Sequence, residues 1–447
     1  MPILTDPASL TRRNFLSNSA AVGASAIAGG LMLPRALQAA AWAGGTDTIR
    51  LGLIGCGGRG TGAAVQALRA DKGTTLVAMG DVFEDRIAAS LAGITEEMGE
   101  EAAQRVQVSA EQRFVGFDSF KQVTDSGVDV VLLTGYPGFR PTHLRYAVEA
   151  GKQVFLEKPV AVDGPGIRSV LESARLAKSK NLACLTGFCW RFAPGMREAF
   201  KHVHSDGIGD VTSVHTTYHG GTLTRHPRLP EWSDLEFQLR NWWHFTWLSG
   251  DHIVEQAIHS IDRLSWAMND ELPVKCECLG GRAARSGPEH GNVFDHFAAI
   301  YEYDDGRRAF HTCRQIDSTP GDNTDYIYGR RAFTTVDGWG PTYVSKNYKG
   351  EPIWKPSGFK DDAAKMYQVE HDELFASIRA AKPLNNTVTG ANSCLMAIMA
   401  RQAAYTGQSI TWEQAMASQE SLVPDNISWE TPAPPVAVAV PGQTKFL

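Results

Sequence analysis

The sequence predicts an α/β protein of two domains, the first of them a doubly wound parallel sheet. Three observations carry this expectation. The chain has 447 residues, more than one core of ordinary size accommodates. An apolar strand breaks into a glycine-rich turn and then a helix around residue 55, and strand and helix patterns alternate from there to about residue 190. With 43% hydrophobic and 21% charged residues, the composition supplies a large core for a globular chain. The formal net charge of −6 comes from signs mixed along the sequence, with no basic stripe, so no nucleic-acid partner is expected.

Residues 1–43 form a targeting segment rather than part of the fold. Thr11-Arg12-Arg13-Asn14-Phe15-Leu16 puts paired arginines ahead of an Ala/Gly-rich apolar run at 20–33, and small residues at 39–43 offer a cleavage site. The pattern resembles a twin-arginine export signal, which implies a periplasmic or otherwise exported protein that folds before it crosses. The run is too short and too rich in glycine for a stable membrane span after signal removal. The seven cysteines are scattered, odd in number and without a CxxC pair, so neither a zinc site nor a disulfide framework is expected.

The turn itself reads Gly55-Cys56-Gly57-Gly58-Arg59-Gly60, between the strand pattern of 48–54 (TIRLGLI) and the helical pattern TGAAVQALRA. This is the strand-to-helix setting a dinucleotide fingerprint requires. Gly55 permits the tight turn, Gly57 lets backbone approach a pyrophosphate, Gly60 lets helix and strand pack closely, and Gly58 and Arg59 open the helix whose N-terminus faces the phosphates. The next strand, TTLVAMGD, ends at Asp81, an acid placed to bind a ribose 2′-hydroxyl and to repel a 2′-phosphate. NAD is therefore expected over NADP, although Arg86 stands nearby. Further strands at 128–135, 153–159 and 182–190, with helices at 142–151 and 166–181, complete a Rossmann domain over 47–190. Thr134 closes one of these strands and joins the cofactor-binding candidates. Tyr136, Arg140 and His143 follow it, where nicotinamide-side loops lie in such sheets.

Glu157-Lys158-Pro159 ends the 153–159 strand. With the fingerprint, Gly187 to Phe192 and the 250–262 stretch, it resembles the Gfo/Idh/MocA oxidoreductase family, closely in the N-terminal half and more loosely beyond residue 270. The resemblance implies a C-terminal α/β domain, taken here as 191–420, with an open, mostly antiparallel sheet that supports a substrate pocket and often an oligomer interface; a homo-oligomer is expected accordingly. It also implies that Glu157 and Lys158 lie beside the nicotinamide, that the Lys158–Pro159 bond is cis, and that Lys158 is catalytic or orients substrate. Elementary chemistry agrees, since a lysine near a cationic nicotinamide has a lowered pKa and exchanges a proton near neutrality.

In the second domain, SGDHIVEQAIHSIDRLSW (249–266) has helical spacing, with Ile253, Val254, Ala257, Ile258, Ile261 and Leu264 on the packed face. His252, Glu255, His259 and Asp262 then share the other stripe. The family places an aspartate four residues before a histidine; His259 matches, but the earlier position is Glu255, one methylene longer. His259 is the candidate general acid/base, Glu255 the group that holds a hydroxyl or orients the imidazole, and His252 a substrate contact. The spacing of His252, Glu255 and His259 fits no standard zinc signature, so no metal is expected. Trp243, within LRNWWHFTWL, and Arg191 are further substrate candidates. Alternating strands follow past 270, then a helix over 392–407 and an extended Pro/Val/Ala-rich tail, 421–447, in a position to wrap a neighbouring subunit.

These readings combine into an exported NAD-dependent oxidoreductase acting on a CH–OH group of a sugar, polyol or sugar derivative. Free NAD is scarce outside the cytoplasm, so the cofactor is expected to stay bound through the cycle. Two other classes compete: a redox-neutral glycoside hydrolase, lyase or epimerase that oxidises transiently, and a non-catalytic nucleotide- or sugar-binding protein. An intact Lys158 favours the first reading.

Overall fold

The computed structural model describes residues 48–340, 342–359 and 362–447. The export signal expected over 1–43 lies outside the described residues.

The first sheet has six strands: β1 (Ile49–Ile54), β2 (Thr74–Asp81), β3 (Arg113–Val115), β4 (Val130–Leu133), β5 (Gln153–Leu156) and β6 (Cys184–Thr186). Their order is β3-β2-β1-β4-β5-β6, and every pairing is parallel. All four residues of β4 are buried, which a strand covered by helices on both faces requires. Helices α1 (Gly58–Ala70), α2 (Glu84–Met98), α3 (Ser119–Asp125), α4 (Arg140–Glu149) and α5 (Gly164–Ser179) make the crossovers. Because β1 and β4 are neighbours whose chains leave in opposite directions along the sheet, their carboxyl ends open a crevice. β3 is the strand absent from the sequence reading: three residues with both ends exposed give no apolar run.

Nine strands form the second sheet: β7 (Val211–Gly220), β8 (Lys275–Gly281), β9 (His296–Glu302), β10 (Arg308–Gln315), β11 (Thr324–Gly329), β12 (Ala332–Asp337), β13 (Tyr343–Asn347), β14 (Pro352–Trp354) and β15 (Ile410–Thr411). The order is β14-β13-β12-β11-β7-β10-β9-β8-β15, antiparallel throughout except for the parallel β7–β10 pair. Burial alternates along β10 and β11, so one face packs and the other is open. The packed face lies under α6 (Ile258–Ala267) and α8 (Thr387–Thr406). Helix α8 is buried nearly all round, wedged between the second sheet, α5 and α6.

The two halves are welded twice. Helix α7 (Asp362–Arg379) returns to pack along α1, where Arg379 Nε and Nη2 donate to the two carboxylate oxygens of Asp71 at 2.7 and 2.8 Å. On the opposite flank, Val82, Phe83 and Phe139 of the first domain share one apolar cluster with Leu235, Leu239 and Phe245 of the second. The tail packs back on its own chain: Leu422 N donates to Asp163, Gln238 Nε2 to the Pro434 carbonyl, and Gly442 N to the Thr406 carbonyl.

The single helix expected over 249–266 is two pieces, His252–Glu255 and α6, interrupted at Gln256 and Ala257. The cause lies just upstream. Asp251 has φ +78°, and its buried carboxylate accepts hydrogen bonds from His252 N, Phe294 N and Tyr405 Oη. That anchor sets the direction of the short helix independently of α6, so the polar side chains do not form one continuous stripe.

Within α6, Arg263 is fully buried and donates to both carboxylate oxygens of Asp325 on β11, at 2.5 and 3.0 Å. Removing one partner of a buried pair strands the other charge, so Arg263→Met is expected to cost about 3–5 kcal/mol. The check is urea unfolding, with R263M/D325L recovering much of the loss.

Candidate active site

The glycine turn is shaped by steric necessity. Gly55 has φ +96°, and a Cβ there would lie 2.2 Å from the Gly135 amide nitrogen. A Cβ on Gly60 would stand 2.0 Å from the Gly55 carbonyl oxygen. Gly57 and Gly58 differ, since a Cβ on either would meet no atom within 4 Å. Those two glycines therefore face open space at the N-terminus of α1, a cradle with room for an anionic group. Thr134 Oγ1 donates to the Gly55 carbonyl at 2.6 Å and ties β4 to the turn. Asp81 accepts from Cys56 N at 2.6 Å and Phe83 N at 3.0 Å, while burial raises its pKa.

Arg59 takes a place that its position in the turn did not foretell. Its guanidinium is held by Glu157 Oε1 at 2.5 Å and Glu370 Oε1 at 3.0 Å, with Tyr367 packed 4.7 Å away. The side chain thus braces the floor of the cleft. Glu157 Oε2 also accepts from Lys158 N at 3.0 Å. Burial raises the Glu370 pKa well above the usual carboxylate range.

Lys158 precedes a cis peptide bond to Pro159. Its Nζ donates across the domain boundary to Glu255, at 2.8 Å to Oε1 and 2.5 Å to the main-chain oxygen. Glu255 Oε2 is buried without a hydrogen-bond partner among the described residues. His259 packs edge-on against Trp190, with ring centres 4.3 Å apart, and its Nδ1 is likewise without a partner. Burial first, and then the charges of Lys158, Arg263 and Arg59, push the His259 pKa well below 6.5, so the imidazole is neutral at pH 7.

A single cleft of about 520 Å³ brings Gly55, Gly57, Gly58, Arg59, Gly60, Asp81, Thr134, Glu157, Lys158, Glu255 and His259 together, with Tyr136 and Trp243 on its walls. Trp243 stacks on Trp242 at 3.8 Å. Arg140 also faces it, donating to the carbonyls of Pro159 and Gly135, and burial lowers its pKa to about 10. His143 stacks on Phe120 instead.

Two expected substrate contacts stand elsewhere. Arg191 is bound to Asp262 at 2.8 Å and Asp270 at 2.6 Å and lies over Trp266, so its charge is spent on α6 and the turn after it. His252 faces Asp251 and the Phe294 carbonyl, at 3.1 and 3.2 Å, because the helix break turns it inward. Sequence reasoning missed Trp190, Tyr218, Gln256 and Trp339 as lining residues. Gln256 follows Glu255 and accepts from Tyr218 Oη at 2.8 Å, but only the pairing of β7 with β10 and β11 brings Tyr218 there. Among the described residues, no group of three or more His, Cys, Asp or Glu side chains is placed to hold a metal.

Two family models account for most of this architecture. Residues 49–188 match the NAD-binding Rossmann fold of an oxidoreductase family, and residues 196–333 match the Gfo/Idh/MocA C-terminal domain. The chain belongs to the Gfo/Idh/MocA family. Its first domain is accordingly an NAD-binding Rossmann domain. Among the family's characterised proteins, the chain is 30% identical over 261 residues to inositol 2-dehydrogenase 3 of Saccharopolyspora erythraea, a match covering 58% of this chain and 65% of that one. It is 24% identical to trans-1,2-dihydrobenzene-1,2-diol dehydrogenase of Mus musculus, over 57% of this chain and 71% of that one. The fold is similar to that of scyllo-inositol dehydrogenase from Lactobacillus casei, with a TM-score of 0.61 at 18% identity, covering 82% of this chain and 99% of that one. The chain thus spans just under two thirds of the first relative's length.

The crowding around Gly60 is open to a direct test. Gly60→Ala is expected to weaken NAD binding at least tenfold, about 1.4 kcal/mol. Gly62→Ala, whose Cβ meets nothing closer than Arg59 Nη1 at 3.5 Å, leaves it unchanged. Calorimetric titration of both variants with NAD makes the comparison.

Proposed function

We propose that this protein is an NAD-dependent oxidoreductase acting on a CH–OH group of a sugar or cyclic polyol, exported in folded form with its cofactor retained. The observation that carries the reading is the meeting of Lys158 and His259, from different domains, in the cleft onto which the glycine cradle opens. The names of the two relatives, dehydrogenases of inositol and of a cyclic diol, support the substrate class.

The open space beyond Gly57 and Gly58 fits the pyrophosphate of NAD, and Asp81 lies where a ribose hydroxyl is bound in such folds. NAD, when bound, supplies the hydride acceptor. The protein's own residues position and deprotonate the alcohol. His259, held neutral, accepts the hydroxyl proton. Lys158, fixed against Glu255, donates to the substrate oxygen and stabilises the charge that builds there as the proton leaves. The unpartnered Oε2 of Glu255 accepts from a neighbouring hydroxyl, which suits a substrate carrying adjacent OH groups. Trp190 and Phe188 shield the imidazole from water.

Export rests on the Arg12-Arg13 pair and the apolar run that follows. A homo-oligomer is supported by the open face of the second sheet, where Leu279 and Phe310 are exposed.

His259→Ala is expected to lower turnover by about 10²–10⁴-fold while NAD affinity is kept, and Lys158→Ala to lower turnover at least as far. Protein isolated from its native host, incubated with a sugar and polyol panel without added NAD, should form keto products seen by mass spectrometry. Products of bond cleavage with no oxidised carbon would replace this reading with a redox-neutral one. The pH profile offers a separate check. Since His259 titrates well below 6.5, kcat/KM should show no histidine limb between pH 6.5 and 8 and should fall only in more acidic solution, as the imidazole takes up a proton.

A further inference from the structure

Trp339 is 58% exposed, whereas Trp190 beside it is 2% exposed. The backbone that carries this indole is held, and the ring rests edge-on against Trp190. It sits in the turn between β12 and β13, where Asp337 Oδ1 accepts from both Trp339 N and Gly340 N at 2.8 Å. Gly338 N donates to the Asn323 carbonyl at 2.7 Å, and the Gly338 carbonyl accepts from Trp190 Nε1 at 2.6 Å. No side chain is tolerated at Gly338, because a Cβ would lie 2.7 Å from Asn323 Nδ2 and 3.0 Å from Arg263 Nη1. Trp190 is itself fixed by the Arg263 guanidinium, 5.0 Å from its ring.

The rings form a sequence. His259 touches Trp190 at 4.3 Å between centres, and Trp190 touches Trp339 at 5.3 Å, edge to face in both cases. Trp190 thus joins His259 to Trp339, and all three line the same cleft.

We infer that Trp339 is a specificity-determining residue, a rigid platform for a second ring of the substrate. The inference rests on the reading that the reacting ring lies between Lys158 and His259. It makes the preferred substrate a glycoside or disaccharide rather than a free polyol. An indole face stacks on the C–H face of a pyranose or on an aryl ring and recognises flatness and apolar surface rather than particular hydroxyls. A rigid ring also makes this contact with little loss of side-chain freedom.

The test separates binding from turnover. Protein loaded with NADH is titrated, by quenching of tryptophan fluorescence and by calorimetry, with methyl and phenyl glycosides of glucose, galactose and N-acetylglucosamine and with cellobiose and lactose. At least one two-ring ligand should bind tenfold or more tightly than its methyl counterpart. Trp339→Ala should reduce that preference below twofold, with Trp339→Phe keeping part of it and methyl glycosides binding as before. A preference for phenyl glycosides alone, or for disaccharides alone, identifies the second ring as aryl or sugar. If no two-ring ligand is preferred, or if W339A keeps the preference because the indole is covered by another subunit, the inference is overturned. Oxidation of the same ligands by the NAD-loaded protein is scored separately. A ring preference without oxidation would refute the oxidoreductase reading and leave the platform standing.

Discussion

The ion pair between Lys158 and Glu255 ties the two halves of the molecule together at the cleft. The lysine comes from the end of β5 and the glutamate from a short helix of the second domain, and both side chains are largely buried. A buried charge of this kind is tolerable only with its partner in place. The pair therefore constrains how the domains sit on each other, and with them the distance between the glycine cradle and His259. It also leaves both of its members within reach of a ligand, which an ordinary structural salt bridge does not.

Beneath that pair lies a second layer of charge. Arg59 is shared between Glu157, next to Lys158, and Glu370, on a helix from the far end of the chain. Burial first, and then the neighbouring charge of Glu157, raise the Glu370 pKa against the opposing pull of Arg59. The arrangement fixes the backbone of Glu157 and Lys158 from below. On the other side, Asp251 holds a strained backbone angle through its buried carboxylate and so aims the helix that carries Glu255. The cleft is thus positioned by two buried acids that never face it, Asp251 and Glu370.

The first domain was legible because its signals are local. A strand, a glycine turn and a helix lie within about twenty residues, and buried parallel strands announce themselves as apolar runs. Lys158, Glu255 and His259 could be named because each falls in a short recognisable stretch. What sequence could not supply was direction. His252 has the right chemistry and spacing for an ideal helix, yet the break after Glu255 turns it toward Phe294. Arg191 is a substrate candidate in the sequence, but its two acids come from residues 262 and 270, which only the folded chain brings near. Tyr218 and Trp339 enter the cleft through sheet pairing at long range, for which periodicity carries no information.

The return of α7 onto α1 has a consequence for how this chain can be handled. Arg379 closes on Asp71 across 308 positions of sequence, so the outer surface of the nucleotide-binding half is finished by a segment made long after it. Cutting near residue 190 would leave the apolar side of α1 and the Arg59 guanidinium exposed to solvent. The boundary visible in the sequence is therefore not a boundary of stability. The nucleotide-binding half would emerge from synthesis as an incomplete body, dependent for its final burial on a segment still to come.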